Sequence, residues 1–403
     1  MRQNDHMIGL AAALGVLAFG VGPGQPISEM AFGQHVATLA QAPPKGIKLT
    51  SVRLWDTGTR WDQVETAPDV YNWTALDAAV KNARKAGAKD ILYVLGSTPR
   101  WAAKDPSIKG LYGRGTTSLP RNPRDYVDFV KTVTKRYKGR ITGYQIWNEA
   151  NTRSFYEGDW TKLARLTRRA HDAIKAIDGS ALVVAASSTV IPGKLFQTES
   201  FFVRYARALH AEGDPVDAMA VHLYPVDTST GPEARVRSIL AVQRVLNRVG
   251  IDKPLWDTEV NYGDQRPGLP RVVPDSRSGA TYVARTYLDA ATLGVARTYW
   301  YGWDLNVLGV NLTEGSRITP AGRAFVTVRD WLTGARPAGC VTASGLRQCG
   351  FTAADGSPFT VVWATYSDIA LKTKGHRVCR LDGTCKRDRI TTIDEQPVLL
   401  RGL

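Results

Sequence analysis

Eight short runs of apolar, β-branched and aromatic residues punctuate the chain: Ala31 to Val36, Ser51 to Asp56, Asp90 to Gly96, Ile141 to Asn148, Ala181 to Ser187, Asp217 to Tyr224, Pro254 to Asn261 and Ala296 to Asp304. Short, nearly continuous runs of this kind read as strands buried on both faces. Longer segments between them repeat their apolar positions at the helical period: Trp73 to Ala86, Pro123 to Tyr137, Trp160 to Ile177, Glu199 to Glu212, Pro232 to Val249 and Ser278 to Leu293, with Pro320 to Leu332 after the eighth run. Two of these have clear starts, because Asn122 precedes Pro123 and Thr319 precedes Pro320, an N-cap followed by proline at the first helical position.

Eight strands, each followed by a helix, predict an α/β protein of (β/α)8 type, a TIM barrel, over residues 31–333, since parallel neighbours need crossover connections. An open doubly wound sheet has the same local alternation, but no glycine-rich phosphate-binding turn follows any of the strands. After Gly334 the pattern changes to short alternating runs (Phe359 to Ala364, Ile390 to Ile393) with turns at Asp355-Gly356 and Asp382-Gly383. Residues 335–403 therefore read as a small antiparallel β domain packed on the barrel.

The amino terminus stands apart from both units. Residues 1–24 join a polar start (Arg2 to His6) to an apolar run from Met7 to Val21 that closes on Gly-Pro-Gly. The run is too short and too rich in glycine to cross a bilayer and reads as a secretory signal peptide. Asp5 weakens the positive start and no Ala-x-Ala site follows, so an uncleaved anchor and a buried first element stand as alternatives. Cys340, Cys349, Cys379 and Cys385, an even set confined to the carboxyl-terminal unit, then favour disulfides. The pairing of Cys340 with Cys349 and of Cys379 with Cys385 closes two short hairpin-like loops. Zinc is the competing reading, and it lacks the usual Cys-x-x-Cys pairs.

Composition adds two facts to an otherwise ordinary globular chain of 403 residues: a formal charge of +15 and 11 tryptophans. The charge favours polyanionic partners but says nothing of fold. No nucleic-acid-binding module is recognisable, and export argues against nucleic acid.

In a (β/α)8 barrel, functional groups gather at the carboxyl ends of the strands. Strand four ends Trp147-Asn148-Glu149 and strand seven ends Asp257-Thr258-Glu259-Val260-Asn261-Tyr262. Two carboxylates facing one another across a cavity are what glycosidic cleavage requires, one protonated to serve the leaving oxygen and one ionised to attack. Alone, either glutamate would read as an ion pair or a solvated strand end.

Trp147-Asn148-Glu149 with Thr258-Glu259 resembles glycoside hydrolase clan A, the retaining barrel glycosidases. The resemblance extends over residues 31 to about 333 through strand order. It implies Glu149 as acid/base, Glu259 as nucleophile and Asn148 as a ligand of the sugar 2-hydroxyl. It further implies Arg53 on strand two as the partner of the nucleophile, His222 and Tyr224 at the end of strand six as pocket residues, and Trp300, or Trp303 in its place, as the aromatic floor. Where cellulase-like members carry a histidine at the end of strand three, this chain reads Leu95-Gly96-Ser97. The following Thr98-Pro99-x-Trp101 is closer to the β-xylosidase and α-iduronidase family. Trp55, Trp61, Trp101 and Tyr262 are further candidates, as exposed rings that stack on sugar faces. Arg114, Arg121, Arg266, Arg271 and Arg277 lie in the long loops after strands three and seven, where cations could meet an anionic glycan.

The expected protein is thus a secreted or envelope-associated monomer that hydrolyses a β-type glycosidic bond in a poly- or oligosaccharide by double displacement. It needs no cofactor and no metal, and its partner is a carbohydrate, with an anionic or cell-wall glycan among the candidates. A non-catalytic glycan-binding protein on the same scaffold is the alternative, because fold does not guarantee chemistry.

Overall fold

The computed structural model describes residues 24–190, 200–225, 230–303, 305, 307–373 and 375–402. The expected export signal therefore lies outside the described residues except for Gly24, as do Glu199 and Asp304, the first and last residues of one expected helix and one expected strand.

Eight parallel strands form the centre: β1 (Phe32–His35), β2 (Ser51–Leu54), β3 (Asp90–Val94), β4 (Gly143–Gln145), β5 (Leu182–Val184), β6 (Met219–His222), β7 (Leu255–Val260) and β8 (Val295–Tyr301). Their order is β6-β7-β8-β1-β2-β3-β4-β5. The circle closes between β5 and β6 through bridges from Val184 to Ala218 and from Thr189 to His222. Around it lie α1 (Thr74–Lys85), α2 (Pro123–Tyr137), α3 (Trp160–Ile177), α4 (Phe201–Ala211), α5 (Glu233–Val249), α6 (Ser276–Thr292) and α7 (Pro320–Leu332). The fold is a TIM barrel. Asn122 and Thr319 cap α2 and α7 through their side-chain oxygens, each with proline in the first turn.

One sequence expectation is corrected. The β1 to β2 connection holds no α-helix, only a 3-10 turn at Ala37–Ala40. Pro43 and Pro44 follow that turn and supply no N–H to extend it. The expected strands also overrun the observed ones at the carboxyl end, most plainly at β4. There Asn148 and Glu149 leave the ladder and turn their side chains to the mouth.

The lower lumen is filled by Leu92, Val184, Ala218, Ala220, Trp256 and Tyr299. Gly33 on β1 makes room for this layer, since a Cβ there would stand 2.4 Å from the Tyr299 ring. Below it, buried Asp90 accepts from Ser51 Oγ at 2.7 Å and Thr142 Oγ1 at 2.8 Å and pairs with Arg297, which closes the amino-terminal end of the barrel.

The carboxyl-terminal unit is antiparallel, with β9 (Arg336–Ala343), β10 (Leu346–Thr352), β11 (Pro358–Ala364), β12 (Ile369–Lys372), β13 (Arg377–Cys379), β14 (Cys385–Arg387), β15 (Ile390–Ile393) and β16 (Val398–Arg401). Six strands run in the order β9-β10-β11-β16-β13-β14, and β12 pairs with β15. Asp355 and Asp382 accept from the backbone two residues on, beside Gly356 and Gly383 at positive φ, and so make the two hairpin turns. Cys340 is joined to Cys349, and Cys379 to Cys385, each across directly paired strands. Phe351 and Phe359 run into the core of the barrel, and Arg277 on α6 pairs with Asp394 of this unit.

Candidate active site

Arg53 projects from β2 and is fully buried. Its guanidinium donates from Nη1 to Glu259 Oε2 at 2.8 Å, from Nε to Gln145 Oε1 at 2.8 Å and from Nη2 to Asn148 Oδ1 at 2.6 Å. One side chain thereby ties the mouths of β2, β4 and β7 together.

Glu259 reaches this position through an irregularity in β7, whose register against β8 shifts between Asp257 and Val260. A bulge adds a residue to one strand and re-aims the side chains around it. Asp257 points outward to Arg235 of α5, which donates to Oδ2 at 2.7 and 3.1 Å. Thr258 meets Gln145 in the lumen, and Glu259 still faces inward. Tyr224 completes the site by donating its hydroxyl to Glu259 Oε1 at 2.7 Å.

Glu149 sits just past β4 at φ 40°, in the left-handed region that non-glycine residues seldom occupy. Its N–H donates to Ser187 Oγ at 2.9 Å, and its carbonyl accepts from the Thr152 N–H at 2.9 Å and hydroxyl at 3.1 Å. Those bonds hold an otherwise costly backbone and aim the carboxyl across the mouth. Its Oε1 is 2.8 Å from His222 Nδ1, and the same nitrogen is 3.7 Å from Glu259 Oε2. Donor atoms of Glu149, His222 and Glu259 all lie within 4.8 Å of one another.

Burial is the largest influence on all three groups. It raises both glutamates above the ordinary carboxylate range and depresses His222 to about 3, so that the imidazole is uncharged. A neutral imidazole leaves one proton to share in the Glu149 contact: either the carboxyl donates to Nδ1, or Nδ1–H donates to the carboxylate. The two glutamates differ in what opposes burial. Glu259 has a guanidinium and a tyrosine hydroxyl in direct contact, whereas Glu149 has no cation in contact among the described residues. Those contacts favour ionisation of Glu259 over Glu149 within the coupled pair. The same three side chains could ligate a metal, but the fixed charge of Arg53, 2.8 Å from Glu259, opposes a cation there.

Of the expected site residues, the structure brings together Glu149, Glu259, Asn148, Arg53, His222 and Tyr224. Six aromatic expectations are corrected. On β8 side chains alternate, so Tyr299 and Tyr301 face the lumen and Trp300 faces the helices. There Trp300 stacks on Tyr262 and donates Nε1 to the Val310 carbonyl at 3.1 Å, and it cannot floor a subsite. Tyr262 is equally buried, with its hydroxyl 2.8 Å from Thr286 Oγ1. Trp55 is 2% exposed, set edge-on to Tyr112 and Phe155, which leaves no open face for a sugar. Trp101 donates Nε1 to the Glu65 carbonyl and packs edge-on against Trp61, itself in the core, so it braces two loops and not the glutamate pair. Trp303, the substitute for Trp300, is also buried.

Sequence reasoning passed over His35, Asp56, Ser187 and Tyr301. His35 pairs in register with Arg53 on one side and Tyr301 on the other, so all three side chains face the lumen. Both ring nitrogens of His35 are buried, with no hydrogen-bond partner among the described residues. The signal was available, since His35, Asp56 and Tyr301 end strands one, two and eight, where barrel function gathers. Neither chemistry nor spacing singled them out.

A family 39 glycoside hydrolase from the gut symbiont Bacteroides cellulosilyticus WH2 superposes with a TM-score of 0.71 at 16% identity, over 94% of this chain and 81% of its own. A glucosidase from Croceicoccus marinus gives 0.66 at 13% identity, over 96% of this chain and 100% of its own. The catalytic domain of GH30 xylanase C from Talaromyces cellulolyticus gives 0.62 at 16% identity, over 96% and 99%. This chain has the barrel fold of these glycosidases. No protein-family model matches it. Among curated sequences, a 4-hydroxy-tetrahydrodipicolinate reductase from Rhodopseudomonas palustris (strain BisB18) is 29% identical over 104 residues, which is 26% of this chain. The chain spans about a third of that relative, 36% of its length.

Proposed function

We propose that this protein is a retaining glycoside hydrolase acting on a β-linked oligo- or polysaccharide. The observation that carries the proposal is the convergence of Glu149 and Glu259, with donor atoms within 4.8 Å. Carboxyl groups about 5 to 5.5 Å apart serve double displacement, whereas about 6.5 to 9.5 Å leaves room for the water of an inverting enzyme. Unequal surroundings support unequal roles. Glu259, held ionised by Arg53 and Tyr224, attacks the anomeric carbon as Glu149 passes its proton to the leaving oxygen, and a covalent glycosyl ester forms. Glu149, now a carboxylate, takes a proton from water, and that water cleaves the ester and restores both groups. Asn148, fixed by Arg53, is placed to meet the sugar beside the nucleophile. No cofactor enters this sequence of steps.

Fold neighbours named as a family 39 glycoside hydrolase, a glucosidase and a xylanase favour gluco- or xylo-configured substrates. The two disulfides and the apolar amino terminus favour export to the envelope or medium. The protein acts as a monomer on carbohydrate, without nucleic acid. Digestion of β-glucan, β-xylan and a set of aryl β-glycosides, with product analysis, tests the assignment. Wild type is expected to release sugar and Glu259→Gln to release none. A Glu259→Gln protein that keeps most of the rate would sink it.

A further inference from the structure

The carboxylate of Asp56 stands just past the end of β2, beside the glutamate pair, and is used by none of the steps above. Tyr112, from the loop after β3, donates its hydroxyl to Asp56 Oδ1 at 2.6 Å, and Tyr301, from the end of β8, donates to Oδ2 at 2.9 Å. Tyr301 also packs its ring edge-on against His35, 4.4 Å between centroids, so it reaches Asp56 from the lumen. Asp56 is close enough to the pair for its charge to oppose ionisation of Glu149.

The cations whose charge acts on Glu149 and Tyr112, namely Arg53, Arg60 and Arg266, are already matched. Arg53 is committed to Glu259. Arg60 pairs with Asp62 at 2.9 Å and lies over the Tyr112 ring. Arg266 pairs with Asp264 through Nε and Nη2. Among the described residues Asp56 makes no ion pair, so its charge is left unmatched.

We propose that Asp56 makes the sugar-binding subsite at the glutamate pair select an uncharged sugar and exclude uronic acids. This rests on the glycosidase reading and deepens it. Each Asp56 oxygen keeps a lone pair beyond the one taken by tyrosine, and sugar hydroxyls are donors that can fill it. A uronate carboxylate brings only acceptors and a like charge into a site where burial weakens screening. The basic surface of the chain would then act on the polymer outside this subsite.

The test compares 4-nitrophenyl β-D-xyloside, β-D-glucoside and β-D-glucuronide. For wild type, kcat/KM is expected to favour the better neutral substrate over the glucuronide by about 100-fold or more. Asp56→Asn, which keeps the shape and removes the charge, is expected to shrink that ratio at least about tenfold. Tyr112→Phe, which removes one hydrogen bond and leaves the charge, is expected to keep the ratio. A wild-type enzyme that cleaves the glucuronide as well as the neutral glycosides, or an Asp56→Asn ratio equal to wild type, overturns the proposal. If no aryl glycoside is cleaved, β-xylan, β-glucan and β-1,4-glucuronan replace them. A neutral new reducing end supports the proposal and a uronic one overturns it. Folded protein that cleaves none of the polymers refutes the glycosidase reading itself.

Discussion

Replacement of Arg53 by methionine is the perturbation most tightly set by the geometry. Arg53 is fully buried and touches Glu259, Asn148 and Gln145 at 2.8, 2.6 and 2.8 Å. At an effective dielectric near 20, opposite charges about 4 Å apart attract by about 4 kcal/mol. That corresponds to about 3 pKa units. Burial already raises Glu259, and Arg53 is among the groups that oppose it. Without the guanidinium, the Glu259 carboxyl is expected to titrate about 2 to 3 units higher. The sign is that of a nucleophile that must be ionised, so activity is lost on the acid side and the acid limb of the kcat/KM profile moves up. The alkaline limb, set by Glu149, moves up less, because its interaction with Arg53 is longer in range. Arg53→Lys keeps the charge and loses the fork, so its acid limb is expected to stay near wild type as kcat falls. The assay is a pH series of kcat/KM on an aryl β-glycoside for the three proteins, with folding checked by circular dichroism. An acid limb that stays put in folded Arg53→Met would refute the assignment of Glu259 as the group Arg53 holds ionised.

Three further substitutions probe other parts of the molecule. Glu149→Gln is expected to lose about 10²- to 10⁴-fold in rate on poor leaving groups and far less on 2,4-dinitrophenyl glycosides, with azide restoring turnover as a β-glycosyl azide; equal losses on both substrates would remove Glu149 from the acid role. Asp289 is buried on α6 and raised to about 6, chiefly by burial. A raised acid stabilises the fold below its unfolded pKa, near 4, and loses that contribution as pH rises through 6. Asp289→Asn is therefore expected to stabilise the protein by up to about 3 kcal/mol at pH 7 and to leave it unchanged below pH 4, and chemical denaturation at the two pH values checks this. Tyr262→Phe leaves Thr286 without its hydroxyl partner and is expected to cost about 1 kcal/mol of stability with KM unchanged; a raised KM would return Tyr262 to the sugar site.

The barrel was legible because buried parallel strands leave continuous apolar runs and helices leave a period of their own, and the two alternate along the chain after every strand but the first. Glu149 and Glu259 could be read because each stands at the mouth of a strand beside a recognisable neighbour, Asn148 and Thr258. The side of the wall on which an aromatic falls was not legible. Trp300 and Tyr301 are adjacent and similar in chemistry, and only the register of β8 against β1 sends one to the helices and the other to the lumen. The bulge in β7 is likewise invisible in Asp257-Thr258-Glu259, although it decides which of the two acids faces the site. Asp56 and His35 escaped notice because one acid or one histidine at a strand end means little until Tyr112, Tyr301 and Arg53 arrive from distant parts of the chain.

The central claim is that Glu259 becomes covalently glycosylated during turnover. Incubation with a 2-deoxy-2-fluoro-β-glycosyl fluoride of whichever sugar the enzyme releases, followed by proteolysis and peptide mass analysis, addresses it directly. The expected result is the mass of one fluoroglycosyl group on the peptide that carries Glu259, and none on that peptide in Glu259→Gln. A label on another residue, or no label from an enzyme whose first product has inverted configuration, would contradict it.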